Sequence, residues 1–259
     1  MFGAWRPRAS EPAPRPAAAN IDGSLAPTKP PRADLTSEDD FVVRVMVGPV
    51  NCTGALIADD RVLTAHHCVA ARSAAGDFEP RDVLPASVRV ELGGDTLPWA
   101  EVGVRSIVAP NCGYAAGHGD IAILVLERPL RGVLTGAVEL DKAPAKGDAL
   151  LPIGFGRCAG TSDGIYRKRR SGSPIARVLD SRFQLQAAIC PGDSGGPAIS
   201  ADSRKIVGVV SASVMDASEA SFGFTELTRL DHFRSVFAAA ALIAGGTSPS
   251  EVPPVECRH

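Results

Sequence analysis

From Phe41 onward the chain is written in short apolar runs, each stopped by turn-forming residues. They are "FVVRVMV" (41–47), "GALIA" (54–58), "RVLTA" (61–65), "SVRVEL" (87–92), "VGVRSIV" (102–108) and "DIAILVL" (120–126), then "ALLPIGFG" (149–156), "FQLQAAI" (183–189), "PAIS" (197–200), "KIVGVVSA" (205–212) and "FGFTEL" (222–227). Runs of this length rich in Val, Ile and Leu read as strands. Their spacing, with no helical pattern between them, describes a sandwich or barrels and excludes a βαβ sheet. The 26 glycines and 21 prolines supply the many turns such a fold needs, and 259 residues suffice for one large β domain or two smaller ones. One helical pattern follows the strands, "RLDHFRSVFAAAALIA" (229–244). Leu230, Phe233, Val236, Phe237 and Ala240 recur there at helical spacing, and Gly245–Gly246 stops it.

Residues 1–38 are rich in Pro, Ala and Arg and hold little that builds a core, so they read as a flexible or loosely docked leader. The segment 160–174 is polar and glycine-rich, and its basic run "RKRR" (167–170) reads as a solvated loop. A net charge of −2 speaks against a nucleic-acid partner. The longest apolar run, Val236 to Ala244, is shorter than the roughly 18 residues of a membrane span. The opening "MFGAWRPRAS" carries no apolar core of a signal peptide.

Six cysteines, Cys52, Cys68, Cys112, Cys158, Cys190 and Cys257, form an even, dispersed set without the paired spacing of a zinc site. No metal is expected. Disulfides are, and with them an oxidising compartment outside the cytoplasm.

The stretch "PGDSGGP" (191–197) admits two readings. Gly, Pro, Asp and Ser are the usual turn formers. Equally, glycines around a serine let backbone N–H groups approach a developing negative charge. A hydroxyl becomes a nucleophile when an imidazole takes its proton, and that imidazole works best when a carboxylate fixes its tautomer. Of five histidines, His66 and His67 stand together in "LTAHHC" (63–68), after a strand-like run and before a cysteine. Asp120 leads the apolar run 120–126 after a glycine-rich turn, where an acid is either buried or a simple turn cap. "GDSGG" also fits the nucleophile elbow of α/β-hydrolases, but that fold needs acid and histidine after the serine, on a parallel sheet. The order histidine, aspartate, serine is that of the chymotrypsin arrangement.

Taken together, "CTGALIADDRVLTAHHC" (52–68), "DIAILVLERPL" (120–130), "GFG" (154–156), "CPGDSGGP" (190–197) and "IVGVVS" (206–211) resemble the chymotrypsin/trypsin-fold serine proteases, the bacterial secreted members most of all. The resemblance implies an all-β fold of two antiparallel six-stranded Greek-key barrels with a C-terminal α-helix. It divides the chain into a leader (1–38), a peptidase domain (39–246) and a tail (247–259). Within the domain it implies barrels at about 41–135 and 136–228 and a helix at 229–244. It assigns His67 as general base, since the family histidine stands immediately before the cysteine, with Asp120 orienting it and Ser194 as nucleophile. The N–H groups of Gly192 and Ser194 would form the oxyanion hole. Ser211 matches the family serine that supports the aspartate, and it joins Ala188, Ser213 and Gly223 on the substrate-binding side. The family's bridge over the histidine loop pairs Cys52 with Cys68, and the fold's loop arrangement suggests Cys158 with Cys190, which leaves Cys112 for Cys257.

Family members often mature by cleavage, after which the new amine pairs with the acid before the nucleophile. Here that expectation falls on Ile21, in "NIDGSLAP" (20–27), and Asp193. Where trypsin-like enzymes carry an acid for Arg or Lys recognition this chain has Ala188, so uncharged, apolar P1 residues are expected, because an unpaired buried cation is costly. The resemblance implies an extracytoplasmic monomer that needs no cofactor. Its partners would be protein or peptide substrates, an activating protease and a protein inhibitor. The competing class is a catalytically silent homologue acting as a binding or scaffolding protein, because fold alone does not license activity.

Overall fold

The structure is a computed structural model that describes residues 38–94, 98–112, 119–158, 165–215 and 221–256. Strands β1 (Val42–Val47) and β2 (Val50–Ala58) are joined by a tight turn in which Gly48 takes φ +55°, a conformation a hairpin turn requires and glycine adopts freely. Strand β3 (Arg61–Thr64) pairs back on β2. A side ribbon of β4 (Ala70–Arg72) and β5 (Phe78–Asp82) follows. Strands β6 (Val88–Leu92), β7 (Ala100–Val108) and β8 (Ala122–Leu126) complete the unit. Its order is β1-β2-β3-β8-β7-β6, and β6 returns to β1 at Val45↔Val90, which closes a six-stranded barrel.

The sequence explains which faces turn inward. In β6, Val88, Val90 and Leu92 are buried, while Arg89 is exposed and pairs with Glu101 of β7. The run "AILVL" of β8 is buried throughout, because one face fills the barrel and the other is covered by the C-terminal helix.

The second unit holds β9 (Leu150–Gly154), β10 (Lys168–Arg169), β11 (Arg177–Val178), β12 (Arg182–Leu185), β13 (Pro197–Ser200), β14 (Ile206–Met215) and β15 (Ser221–Arg229), in the order β10-β9-β13-β14-β15-β12-β11. This is a seven-stranded sheet whose two end strands, β10 and β11, belong to one stretch of chain that stands where the sixth stave of the expected barrel would be. The stretch 168–178 pairs with β9 at its start and with β12 at its end. Between these, Gly172 bridges Ala187, and Ser173 N donates to Gln186 O at 2.7 Å. Pro174, without an N–H, stands where the ladder is broken.

Helix α1 (Arg234–Ala244) begins later than the expected residue 229. β15 runs on to Arg229, whose guanidinium pairs with Asp231 at 2.6 Å, and Asp231–Phe233 form a 3-10 turn before the helix starts. Val236, Phe237, Ala240 and Ile243 are buried against the first barrel. Arg105 of β7 donates to the carbonyls of Ile243 and Ala244 at 3.1 Å, a cation placed at the helix C-terminus where orphan carbonyls need a donor. The segment after the helix is docked: Val255 is buried, and its carbonyl accepts from Asn111 N at 2.9 Å.

Candidate active site

The pairing of β3 with β8 assembles the first half of the site. Thr64 lies opposite Ala122, so the residues beyond Thr64 run against those before Ala122. His67 sits in a 3-10 turn (His66–Cys68) directly after β3 and meets Asp120 there. Its Nδ1 is 2.8 Å from Asp120 Oδ2, and its backbone N–H donates to Oδ1 at 2.9 Å. Ser211, on β14 of the second barrel, donates its hydroxyl to the same Oδ2, and Thr228 of β15 donates to the Asp120 carbonyl at 2.9 Å. Asp120 is 3% exposed. Burial alone would raise its pKa, but the positive charge His67 carries when protonated, with the hydrogen bonds from His67 and Ser211, holds the carboxyl below its ordinary value. A carboxylate accepting from Nδ1 leaves Nε2 as the basic nitrogen.

The neighbouring imidazole is engaged elsewhere. His66 is buried, and its Nε2 lies 2.7 Å from Asp82 at the end of β5. The sulfurs of Cys52 and Cys68 lie close to His67, but they are joined in a disulfide and offer no thiolate to a metal.

The second half comes from the loop between β12 and β13. Asp193 N donates to Cys190 O at 3.0 Å and Gly196 N to Asp193 O at 2.9 Å, two turns that set Ser194 between them. Gly192 and Gly195 take φ of +99° and +82°. A Cβ on Gly195 would collide with the Thr53 carbonyl and the Thr64 hydroxyl, so only glycine fits. The loop is fastened to the first barrel by Thr53 of β2. Its N–H donates to Ser194 O at 2.8 Å and its hydroxyl donates to Gly192 O at 2.7 Å. The same hydroxyl accepts from Phe155 N at 2.9 Å. The Thr53 carbonyl in turn accepts from Thr64 Oγ1 at 2.8 Å, so the residue is both fully buried and fully bonded.

Ser194 and His67 lie on the same side of the molecule. The Cys68 sulfur is 3.6 Å from Ser194 O and 3.8 Å from His67 Nε2. Among the described residues, no hydrogen bond joins Nε2 to the Ser194 hydroxyl. The N–H groups of Gly192 and Ser194 likewise donate to no described residue.

Beneath the loop Asp193 is 1% exposed. Its Oδ2 accepts from Cys190 N at 2.9 Å and lies 2.8 Å from Arg170 Nε, while Oδ1 accepts from Gly156 N at 2.8 Å and from the Arg170 terminal nitrogen at 3.0 Å. Burial pushes its pKa up, and Arg170 with the two amides only partly offsets this. A Cβ on Gly154 or Gly156 would enter the space of the Asp193 carboxylate, which gives the "GFG" stretch its physical meaning. A disulfide joins Cys158 to Cys190 beside it.

The basic run 167–170 is therefore no solvated loop. Arg170 is 7% exposed on Asp193, Arg167 pairs with Asp40, and Arg169 pairs with Asp39 and Glu38. Each of these arginines has a carboxylate waiting for it across the fold, which a single run of sequence does not reveal. Thr53 was equally hidden, and its one signal is a polar β-branched residue between the buried Cys52 and Gly54.

Ala188 is exposed beyond β12, and Ser213 and Gly223 fall on the paired strands β14 and β15. Cys112 is disulfide-bonded, while Cys257 and Ile21 lie outside the described residues.

A closed β-barrel and a second β unit, with a histidine–aspartate couple from one beside a serine loop from the other, define a chymotrypsin-like protein. A family model described as Trypsin matches residues 34–235, and the chain belongs to the trypsin family. It is 28% identical to the cercarial protease of Schistosoma mansoni over 209 residues, covering 69% of this chain and 76% of that one. It is 27% identical to the vitellin-degrading protease of Bombyx mori over 207 residues, covering 68% and 72%. In fold it is similar to a Glu endopeptidase, with a TM-score of 0.59 and 16% identity over 81% of this chain and 92% of that one. It is similar too to the inactivated scabies mite protease paralogue S-I1, with a TM-score of 0.59 and 20% identity over 78% and 95%.

Proposed function

We propose that the chain is a serine endopeptidase working through an acyl-enzyme, with His67 as general base, Asp120 as its orienting carboxylate and Ser194 as nucleophile. The observation that carries this reading is the buried Asp120 carboxylate, which receives both the ring and the backbone N–H of His67 together with the Ser211 hydroxyl. A purely structural aspartate has no need to fix one tautomer of a half-buried imidazole whose other nitrogen lies 3.8 Å from the Cys68 sulfur, itself 3.6 Å from Ser194 O.

In the first step the Ser194 oxygen bonds to the scissile carbonyl carbon as its proton passes to His67 Nε2. The carbonyl oxygen takes the negative charge and is met by the N–H groups of Gly192 and Ser194, which donate to no other described residue. The C–N bond then breaks, and the departing amine takes the proton from Nε2. Water repeats the sequence on the ester: its proton goes to Nε2, its oxygen to the acyl carbon, and Ser194 recovers its hydrogen. The approach of Nε2 to the hydroxyl tightens when substrate fills the cleft, as catalytic hydrogen bonds do.

Ala188, Ser213 and Gly223 line the P1 site in this reading and favour uncharged, apolar side chains. The bridges Cys52–Cys68 and Cys158–Cys190 suit an extracytoplasmic protein. Incubation with a fluorophosphonate probe tests the reading: covalent labelling that Ser194→Ala abolishes supports it. A folded protein that takes no label is the silent homologue.

A further inference from the structure

We infer that Arg170 is the positioning residue that sets the oxyanion loop, supplying Asp193 from within the chain with the cation that cleavage at Ile21 was expected to provide. The inference rests on the endopeptidase reading above and adds to it the way in which the loop is held.

The geometry leaves little room for another cation. Both Asp193 oxygens lie against the Arg170 guanidinium: a terminal nitrogen donates to Oδ1 at 3.0 Å, and Nε sits 2.8 Å from Oδ2 as a charge contact without a hydrogen bond. Two backbone amides add to this hold, Gly156 N donating to Oδ1 and Cys190 N to Oδ2. Gly154 and Gly156 press on the carboxylate so closely that even a methyl group would not fit, and the Cys158–Cys190 bridge closes a further side. Arg170 also donates to the Gly156 carbonyl, which ties it to the same wall as the amide that holds Asp193.

Asp193 lies between the two residues whose N–H groups form the hole. Holding its side chain down therefore fixes the peptide planes of Gly192 and Ser194, and this is how a buried ion pair reaches the chemistry without touching substrate. The neighbouring arginines act in the same sense on the segment entering the domain. Arg167 holds Asp40, and Arg169 holds Asp39 and Glu38 just before β1. The incoming chain is thus fastened at residues 38–40 by the same stretch of chain that fills the Asp193 site.

The test uses the full chain, prepared uncleaved with intact mass confirming it, and compared with the same chain cut after Asn20. The uncleaved chain is expected to take a fluorophosphonate probe on Ser194 and to turn over peptide ester at the rate of the cut form. Arg170→Met is expected to lower kcat by about 10²–10³-fold, the loss of an oxyanion donor, with a smaller change in KM, and Arg170→Lys to recover part of that loss. Reactivity that appears only after cleavage overturns the inference and leaves the protease reading standing. Silence in both forms overturns both. A folded Arg170→Met protein with unchanged kcat and only a lower melting temperature also overturns it, for then the pair is structural alone. Should Arg170→Met fail to fold, the comparison of uncleaved and cut chain and the Arg170→Lys kinetics still separate these outcomes.

Discussion

The Thr53 hydroxyl donates to the Gly192 carbonyl at 2.7 Å, so a strand of the first barrel holds the loop on which the second barrel presents Ser194. Replacing Thr53 with Val keeps the shape but strands the Gly192 carbonyl and the Phe155 N–H, both of which depend on that oxygen. Leaving buried polar groups unpaired costs about 1–3 kcal/mol. Thr53→Val is expected to lose that much stability in urea unfolding and to lower kcat, while Thr53→Ser keeps both. Equal kcat in the two variants would contradict the linking role.

The residues that the sequence discloses are those whose chemistry is local. His67 stands beside Cys68, Ser194 sits among glycines, and Asp120 opens an apolar run, so each announces itself within a few positions. The strand runs are legible for the same reason, since alternation is a near-neighbour property. Arg170 and Thr53 act across separations of 23 and 139 residues. Their partners are set by barrel packing, which no window of sequence contains. The late start of the helix has a similar origin: "RLDHF" carries helical spacing, yet the ladder of β15 with β14 claims Arg229, and Asp231–Phe233 make a 3-10 turn before the helix begins.

Asp120 makes the folded protein sensitive to acid in a definite direction. Its carboxyl is held below its ordinary value of 3.8, so the stability it contributes is complete above that pH and is lost as pH falls through the lower, folded-state value. Asp193, raised by burial, bends the curve the other way, but it is common to wild type and variant. The difference between wild type and Asp120→Asn in circular-dichroism unfolding should therefore shrink as pH falls below about 4. At neutral pH the same variant is expected to lose on the order of 10⁴-fold in kcat. A pH-independent difference would contradict the assigned direction.

Gly156 tests the packing beneath the loop. A methyl group there would meet the Asp193 carboxylate, so Gly156→Ala must displace either Asp193 or its own backbone. Overpacking of this kind costs typically about 1–3 kcal/mol. The expected outcome is a protein with a lower unfolding midpoint whose kcat falls further than its KM rises. Full activity at reduced stability would separate Asp193 from the oxyanion loop.

Ala188 governs the charge of the P1 site in the proposed reading. The wild type is expected to cleave peptides with apolar P1 residues and to ignore Arg and Lys, and Ala188→Asp is expected to admit them. Competing P1 libraries read by mass spectrometry measure the change. A wild-type preference for Arg would remove Ala188 from that role.

Acyl transfer through Ser194 is tested most directly by the mass of the protein after brief reaction with an activated peptide ester at low pH, where deacylation is slow. One added acyl group is predicted, located on Ser194 by fragmentation, absent from Ser194→Ala and reduced to trace in His67→Ala. A folded protein that gains no mass, or that carries the acyl group on another residue, would contradict the endopeptidase mechanism.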